Sequence, residues 1–250
     1  MEDNTRQYGQ QDFNLPHDVL ILPSKGKFYK NKKKSLKVGY LTAQDENVLV
    51  SSPNNDTIIK TLVKNKIYEP DFNVDDLLES DLEAILIFLR NTSFGPEYNF
   101  RLKDPKTSKE FTKTVLLDEL DIIEPKIEPN SDGLFELTLP KTGKNIVCKL
   151  LNIGDINELT RLTESYPDGV VAPVVTKRLE KYIVSIEGNN NREEISKFVM
   201  SLPIADSKHI RNTLRECEPR LNLNRTVNAP SGEKVDIRIT FGAEFFRPFF

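Results

Sequence analysis

The chain has 250 residues, of which 38% are hydrophobic and 29% are charged, and its formal net charge is −3. A chain of this length and composition can bury a core without disulfides or a metal, and its longest apolar run, Ala84 to Leu89, is far shorter than the ~20 residues that span a bilayer. The polar start predicts no secretory signal peptide and the negative net charge disfavours a DNA-coating protein, so we expect a soluble intracellular protein.

The first 35 residues are predicted to form a polar N-terminal arm with a basic cluster. Six lysines lie between Lys25 and Lys34, with Phe28 and Tyr29 among them. Such a cluster could bind nucleic acid, because ammonium groups displace phosphate counterions and aromatic rings stack on bases. We favour a solvated loop, since the run has no arginine and the net charge is acidic; an acidic partner surface would use the same lysines. Lys25, Lys27, Phe28 and Tyr29 are therefore candidate partner-binding residues.

Residues 36–130 are predicted to form a first α+β unit. The predicted order is a strand at 36–41, a helix capped by Thr42 with Asp45, a helix that starts at Asn55 or Asp56, a central helix that ends at Gly95, and a hairpin about the turn 104–107. Ser80 followed by Glu83 is a capping box that opens the central helix, and the apolar residues around that helix predict that it is buried. The proline-containing stretch 122–129 is the predicted connector.

Residues 131–250 are predicted to repeat this plan in a second α+β unit. Its predicted elements are strands at 135–139 and 146–151, a helix capped by Asn152 with Asp155, helices at about 155–165, 173–187 and 192–201, a helix around Asp206, and a hairpin about Pro230. Asn152 lies 110 positions after Thr42, and Asp206 lies 125 positions after Asp81. We therefore predict an α+β fold of two related helical units, each with a β-hairpin, that arose by internal duplication.

Few residues of the chain could carry chemistry. Cys148, Cys217, His17 and His209 are far apart and show neither CxxC nor HxxH spacing, so both cysteines are predicted to be small core residues. The acidic stretch Glu69–Glu83 lacks the spacing of a calcium loop, and nucleophile and phosphate-binding motifs do not occur. We expect no catalytic, cofactor-binding or metal-binding residue and no enzyme, although two acidic residues that meet in space remain an open alternative.

The last ten residues are unusually aromatic. They contain five of the fourteen phenylalanines of the chain: Phe241, Phe245, Phe246, Phe249 and Phe250. Because each buried phenylalanine contributes roughly 1.5–3 kcal/mol, such a segment is expected to be buried either in its own core or in a partner. We expect Phe241 and Phe245 in the core and Phe249 and Phe250 in a partner, and Phe245, Phe246, Phe249 and Phe250 are the candidate partner-binding residues.

Four motifs resemble those of the T4-type bacteriophage baseplate proteins. They are Leu22-Pro23-Ser24-x-Gly26-x-x-Tyr29, Val38-x-Tyr40-Leu41-Thr42-x-x-Asp45-Glu46-x-x-Leu49, Leu89-Arg90-Asn91-x-Ser93-Phe94-Gly95 and Phe245-Phe246-x-Pro248. Relatives in this family often carry CxxC knuckles at the two hairpin tips. This chain has Asp104-Pro105-Lys106-Thr107 and Ala229-Pro230-Ser231-Gly232 there, so the resemblance implies hairpins held by packing rather than by zinc.

The resemblance implies a protein of the phage tail baseplate. At this length it implies a non-enzymatic, chaperone-like factor for assembly of the baseplate hub, which binds hub or tail-tube proteins in the host cytoplasm without a cofactor. A permanent structural subunit of the baseplate is the alternative. A nucleic-acid-binding module that uses the basic cluster is a further, less favoured one.

Overall fold

A computed structural model describes residues 16–51, 55–167, 170–241 and 243–246. These residues form seven α-helices and several small antiparallel sheets, so the predicted α+β class is confirmed. The candidate residues Phe249 and Phe250 lie outside the described residues.

The described residues up to Leu116 form four strands and three α-helices. They are β1 (His17–Ile21), β2 (Ser35–Gly39), α1 (Ala43–Ser51), α2 (Asn55–Lys66), α3 (Glu79–Phe94), β3 (Glu97–Lys103) and β4 (Glu110–Leu116). The strands pair as two antiparallel hairpins, β1 with β2 and β3 with β4. The strand β1 lies within the predicted polar arm, and Leu22 and Tyr29, which follow it, are buried in the core.

The second half contains more elements. They are β5 (Ile122–Ile123), β6 (Phe135–Thr138), β7 (Asn145–Cys148), α4 (Ile153–Glu164), α5 (Val174–Tyr182), β8 (Ile183–Ile186), α6 (Arg192–Met200), α7 (Ile204–Cys217), β9 (Arg220–Leu221), β10 (Asn224–Asn228) and β11 (Lys234–Arg238). The strands β6, β7 and β8 form one sheet, β10 and β11 form a hairpin, and β5 pairs with β9. Cys148 and Cys217 are buried free cysteines, as predicted.

Two helix starts follow the predicted capping and one does not. Thr42 donates its backbone N–H to Asp45 Oδ2 over 2.7 Å, and Asn152 Oδ1 accepts from the backbone N–H of Asp155 over 2.8 Å. The capping box predicted at Ser80 is wrong. Helix α3 begins two residues earlier than predicted, at Glu79, with Leu78 in the cap position. Ser80 therefore lies inside the first turn, and its buried hydroxyl has no hydrogen-bond partner among the described residues.

The helix predicted at 173–187 ends early. Helix α5 stops at Tyr182, and Ile183–Ile186 continues as β8, which pairs antiparallel with β7. The sequence of β8 contains three β-branched residues, which fit a strand at the edge of a sheet better than a helix once a partner strand is present.

Two hydrophobic cores hold these elements together. The first is built from α1–α3 and both N-terminal hairpins, and Leu223, Ile239, Phe245 and Phe246 from the end of the chain complete it. The second is built from β6–β8 and α5–α7. The end of the chain therefore returns to the first core. The division of the whole chain into an N-terminal arm and two α+β units, with boundaries at residues 35 and 130, stays a prediction.

A buried aspartate performs the same task in each half. Asp81 on α3 accepts hydrogen bonds from the backbone N–H of Ser24 over 2.9 Å and from the hydroxyl of Tyr29, in the loop between β1 and β2. Asp206 on α7 accepts from the backbone N–H groups of residues 141–142, in the turn between β6 and β7. The two halves thus share a hairpin held by a helix carboxylate, while the internal duplication itself stays a prediction.

Candidate functional site

The C-terminal phenylalanines that the structure describes are core residues. The side chains of Phe245 and Phe246 are 0% and 2% exposed. The ring of Phe245 lies 5.4 Å from that of Tyr98 and 4.9 Å from that of Phe241. As candidate partner-binding residues, Phe245 and Phe246 therefore offer no surface in this fold, because the chain after β11 packs against the β3–β4 hairpin.

Lys25 and Lys27, the two candidate lysines of the basic cluster, pair with carboxylates of the chain itself. The Nζ atom of Lys25 lies 2.5 Å from Glu124 Oε1, and that of Lys27 lies 2.5 Å from Glu128 Oε2. Both glutamates belong to the predicted connector, so the basic loop lies along it. Both pairs are largely exposed and are worth little to stability, but they compensate part of the charge that a nucleic acid would use.

Tyr29 and Phe28, the two aromatic candidates of this loop, are buried to different degrees. Tyr29 is buried, donates its hydroxyl to Asp81 and accepts from the backbone N–H of Leu78 over 3.1 Å. Burial, followed by the charge of Asp81, raises the pKa of Tyr29. Phe28 is partly buried, with its ring 6.0 Å from that of Phe135. Tyr29 therefore holds the loop onto α3 and offers no surface for stacking.

The first baseplate-like motif, Leu22–Tyr29, is thus a structural turn. Gly26 has φ +73°, and a Cβ at this position would lie 2.6 Å from the carbonyl oxygen of Lys33. Only glycine fits such a close approach at a positive φ. The spacing Ser24-x-Gly26-x-x-Tyr29 is explained by the need to turn around the Asp81 carboxylate.

The third motif, Leu89–Gly95, joins α3 to the next strand. Arg90 is 2% exposed and donates to the carbonyl oxygens of Gly95 over 2.8 Å and Glu97 over 3.1 Å. Its guanidinium lies 5.2 Å from the centre of the Phe94 ring. Burial lowers the pKa of Arg90. The buried cation is held by carbonyls and aromatic faces, which makes it a structural residue.

The two hairpin tips lie side by side and are joined by hydrogen bonds. Asp104 accepts from the backbone N–H of Ser231 over 3.0 Å and from its hydroxyl over 2.7 Å. It also accepts from the backbone N–H groups of Lys106 and Thr107. Although burial alone would raise the pKa of Asp104, these hydrogen bonds lower it. The junction predicted to depend on packing is therefore also polar.

A cleft of about 740 Å³ lies between the two cores, and no motif of the sequence predicted it. Its walls come from α3, α5, α7 and the strands β9 and β11, which the chain brings together over 160 residues. The exposed basic residues that line it are Arg178, Arg211, Arg215, Arg220 and Arg238. Within the part of the chain that the structure describes, none of these arginines makes an ion pair within 4.0 Å.

Three glutamates line the same cleft. Glu79 and Glu83 lie one turn apart on α3, and Glu218 follows α7. Burial, followed by the charge of Glu79, raises the pKa of both Glu83 and Glu218 to about 7. The arginines offset this effect only in part. The cleft can therefore hold an anion between guanidinium groups, and it can take up or release protons near neutral pH.

Two pairs of exposed apolar side chains outside the cleft stand out among the exposed apolar residues that the structure describes. On β1, Val19 and Ile21 are 62% and 71% exposed on the same outer face of the strand. At the connection of α6 to α7, Met200 and Ile204 are largely exposed as well. Pairs of large apolar residues on a surface are typical of protein contacts.

The family model described as T4 bacteriophage base plate protein matches residues 18–247. The chain belongs to this family. No curated protein and no solved structure gave a significant match. Membership of the family indicates a role in the phage baseplate and contact with other baseplate proteins. No helix among the described residues of this baseplate protein is long and apolar enough to cross a membrane.

For this baseplate protein, the sequence-predicted candidates and the cleft do not coincide. Lys25 and Lys27 lie on the loop against the connector, and Tyr29, Phe245 and Phe246 are in the first core. The arginines of the cleft come from four elements, and only Arg211 and Arg215, one turn apart on α7, share an element, so no motif signals the set of five. Among the described residues, no group of three or more histidine, cysteine, aspartate or glutamate side chains is placed to hold a metal ion.

Proposed function

We propose that this baseplate protein is a non-enzymatic, chaperone-like assembly factor for the baseplate hub, which binds hub or tail-tube proteins in the host cytoplasm. The observation that carries the proposal is the family match over residues 18–247. It leaves two roles within the baseplate, that of a factor acting during assembly and that of a permanent structural subunit.

The exposed apolar surface of β1 supports a role in protein contact. An assembly factor covers an interface until the final partner displaces it, which requires accessible apolar surface and moderate affinity. Val19 and Ile21 provide such a surface while their neighbours Leu20 and Leu22 pack inward, so this surface is available without unfolding the first core.

Tagged protein purified from infected cells, early and late in infection, tests the proposal. Mass spectrometry should identify hub or tail-tube proteins in the eluate. Purified virions should contain this protein in amounts well below those of the structural baseplate proteins. Stoichiometric copies in virions would instead establish the structural subunit. An eluate without baseplate proteins would contradict both roles.

The double variant Val19→Lys with Ile21→Lys locates the contact. We expect it to reduce co-purification of baseplate proteins about tenfold, because the lysines remove buried apolar area at the interface. Glu136→Lys is the matched control, since Glu136 is an exposed residue of β6 and this change adds the same two units of positive charge. Equal losses in the double variant and the control would contradict a contact at β1.

A further inference from the structure

We infer that the cleft between the two cores binds an acidic peptide segment of a partner protein. The identity of that partner as a baseplate protein rests on the proposed function, whereas the binding of an acidic peptide can be measured without it.

The charge of the cleft is opposite to that of the whole protein. Five arginines and three glutamates line it, which leaves a surplus of two positive charges in a chain whose formal net charge is −3. Positive charge concentrated in a concave site attracts anions from solution and raises the rate at which they bind. The occupant that complements this cleft is therefore anionic.

The arginines are arranged to receive carboxylates from several directions. Arg178 comes from α5, Arg211 and Arg215 come from α7, Arg220 belongs to β9 and Arg238 belongs to β11. Guanidinium groups bind carboxylates through two parallel hydrogen bonds, and these five make no ion pair within 4.0 Å among the described residues. Although Arg211 Nε donates to the carbonyl oxygen of Ser207 over 3.3 Å, no described carboxylate holds these guanidinium groups in an ion pair, so they can bind the carboxylates of a ligand.

The other polar residues of the cleft favour a peptide over a nucleic acid. Glu79, Glu83 and Glu218 are interleaved with the arginines and would repel the continuous charge of a phosphodiester backbone. Asn212 and Asn222 also line the cleft, and their amides can donate to and accept from a peptide main chain. An acidic peptide, whose separate carboxylates are joined by main-chain amides, matches the mixture of arginine, glutamate and asparagine side chains in the cleft.

Binding is expected to weaken as the pH rises through neutrality. Protonated Glu83 and Glu218 carry no charge, and ionisation of either adds a negative charge beside the ligand. The charged and titratable groups that face them are Glu79 on α3, Arg178 and Tyr182 on α5, Arg211 and Arg215 on α7, Arg220 on β9 and Arg238 on β11. Because the arginines keep their charge, the two glutamates set the pH dependence.

Fluorescence anisotropy with fluorescein-labelled hexaglutamate tests the inference on the full chain at low salt. We expect saturable binding that Arg215→Gln and Arg220→Gln each weaken about tenfold. Arg101→Gln is the matched control, since Arg101 is an exposed arginine of β3 outside the cleft. Glu83→Gln and Glu218→Gln should have the opposite effect and tighten binding above neutral pH, which a general loss of folding cannot produce.

Four outcomes would overturn the inference. They are the absence of saturable binding, an equal loss in Arg101→Gln, displacement of the peptide by inorganic phosphate at similar concentration, and tighter binding of a thymidine oligonucleotide to the same arginines. If hexaglutamate does not bind but baseplate proteins still co-purify, only the cleft is contradicted. If hexaglutamate binds and no baseplate protein co-purifies, only the proposed function is contradicted.

Discussion

The first turn of α3 has two faces that differ in almost every respect. Asp81 points into the first core, is 0% exposed and accepts hydrogen bonds from the loop of the first motif. Glu79 and Glu83 lie on the opposite face, one turn apart, and line a cleft whose arginines lie outside ion-pair distance. The recognisable motif thus marks the face that holds the fold together, and the face suited to binding carries no motif.

Substitution of Asp81 should produce the largest effect. Asp81→Ala leaves the backbone N–H of Ser24 and the hydroxyl of Tyr29 buried without an acceptor, and we expect a loss of about 3 kcal/mol in the free energy of unfolding. Urea denaturation measures it. Glu79→Ala, two residues away on the cleft face, is the control and should change stability by less than about 0.5 kcal/mol. Similar losses in both variants would remove the distinction between the two faces.

The pH dependence of stability should come from the cleft face. Glu83 and Glu218 have pKa values raised from 4.5 to about 7, so the folded state binds more protons than the unfolded state between these values. Their stabilising contribution is therefore complete below about pH 4.5 and is lost as the pH rises through about 7. We expect the free energy of unfolding to fall progressively over this range as the two carboxyls ionise.

Glu83→Gln and Glu218→Gln should each flatten this pH profile, because glutamine does not titrate. Denaturation at several pH values between about 4.5 and 8 makes the measurement. Glu136→Gln is a suitable control, since Glu136 is an exposed carboxylate on β6 outside the cleft. A profile that keeps its slope in the cleft variants would show that other groups cause it.

The smallest effect concerns Ser80, which lies between the two faces. Its buried hydroxyl has no partner among the described residues, so Ser80→Ala removes an unsatisfied group and should raise the free energy of unfolding by up to about 1 kcal/mol.

The cap of α6 provides the comparison, because Asn191 Oδ1 accepts from the backbone N–H groups of Glu193 and Glu194. Asn191→Ala should therefore cost about 1 kcal/mol. Thermal denaturation compares the two, and a loss in Ser80→Ala would restore the capping role that the sequence predicts.

Local patterns predicted most of the elements of this fold. The two hairpins β3–β4 and β10–β11 and the caps at Thr42 and Asn152 are confirmed, because each depends on residues close in the chain. The prediction was wrong at Ser80 and at the end of α5, because the local structure at these places depends on residues that are distant in the sequence. Ile183–Ile186 becomes a strand because β7 pairs with it.

The candidate site could not be predicted in the same way. The sequence predicts Phe245 in the core, which is confirmed, but it also offers Phe245 and Phe246 as partner contacts, because whether an apolar ring faces its own core or a partner depends on where the chain end packs. The five arginines of the cleft lie between Arg178 and Arg238 on four different elements, and apart from Arg211 and Arg215, which lie one turn apart on α7, nothing in their spacing links them. Their proximity is a result of the packing of α5 and α7 beside α3.

The sequence by itself determined the α+β class, the capped helices, the hairpins and the family, because periodicity, caps and turns are properties of neighbouring residues. Only the tertiary structure decided which charges are compensated. Asp81, Lys25 and Lys27 have hydrogen-bond or ion-pair partners within the fold, while the arginines of the cleft lie outside ion-pair distance of every described carboxylate. The reason is physical, since the free energy of a charge depends on its burial and on the charges brought near it, and both are settled only when distant elements pack.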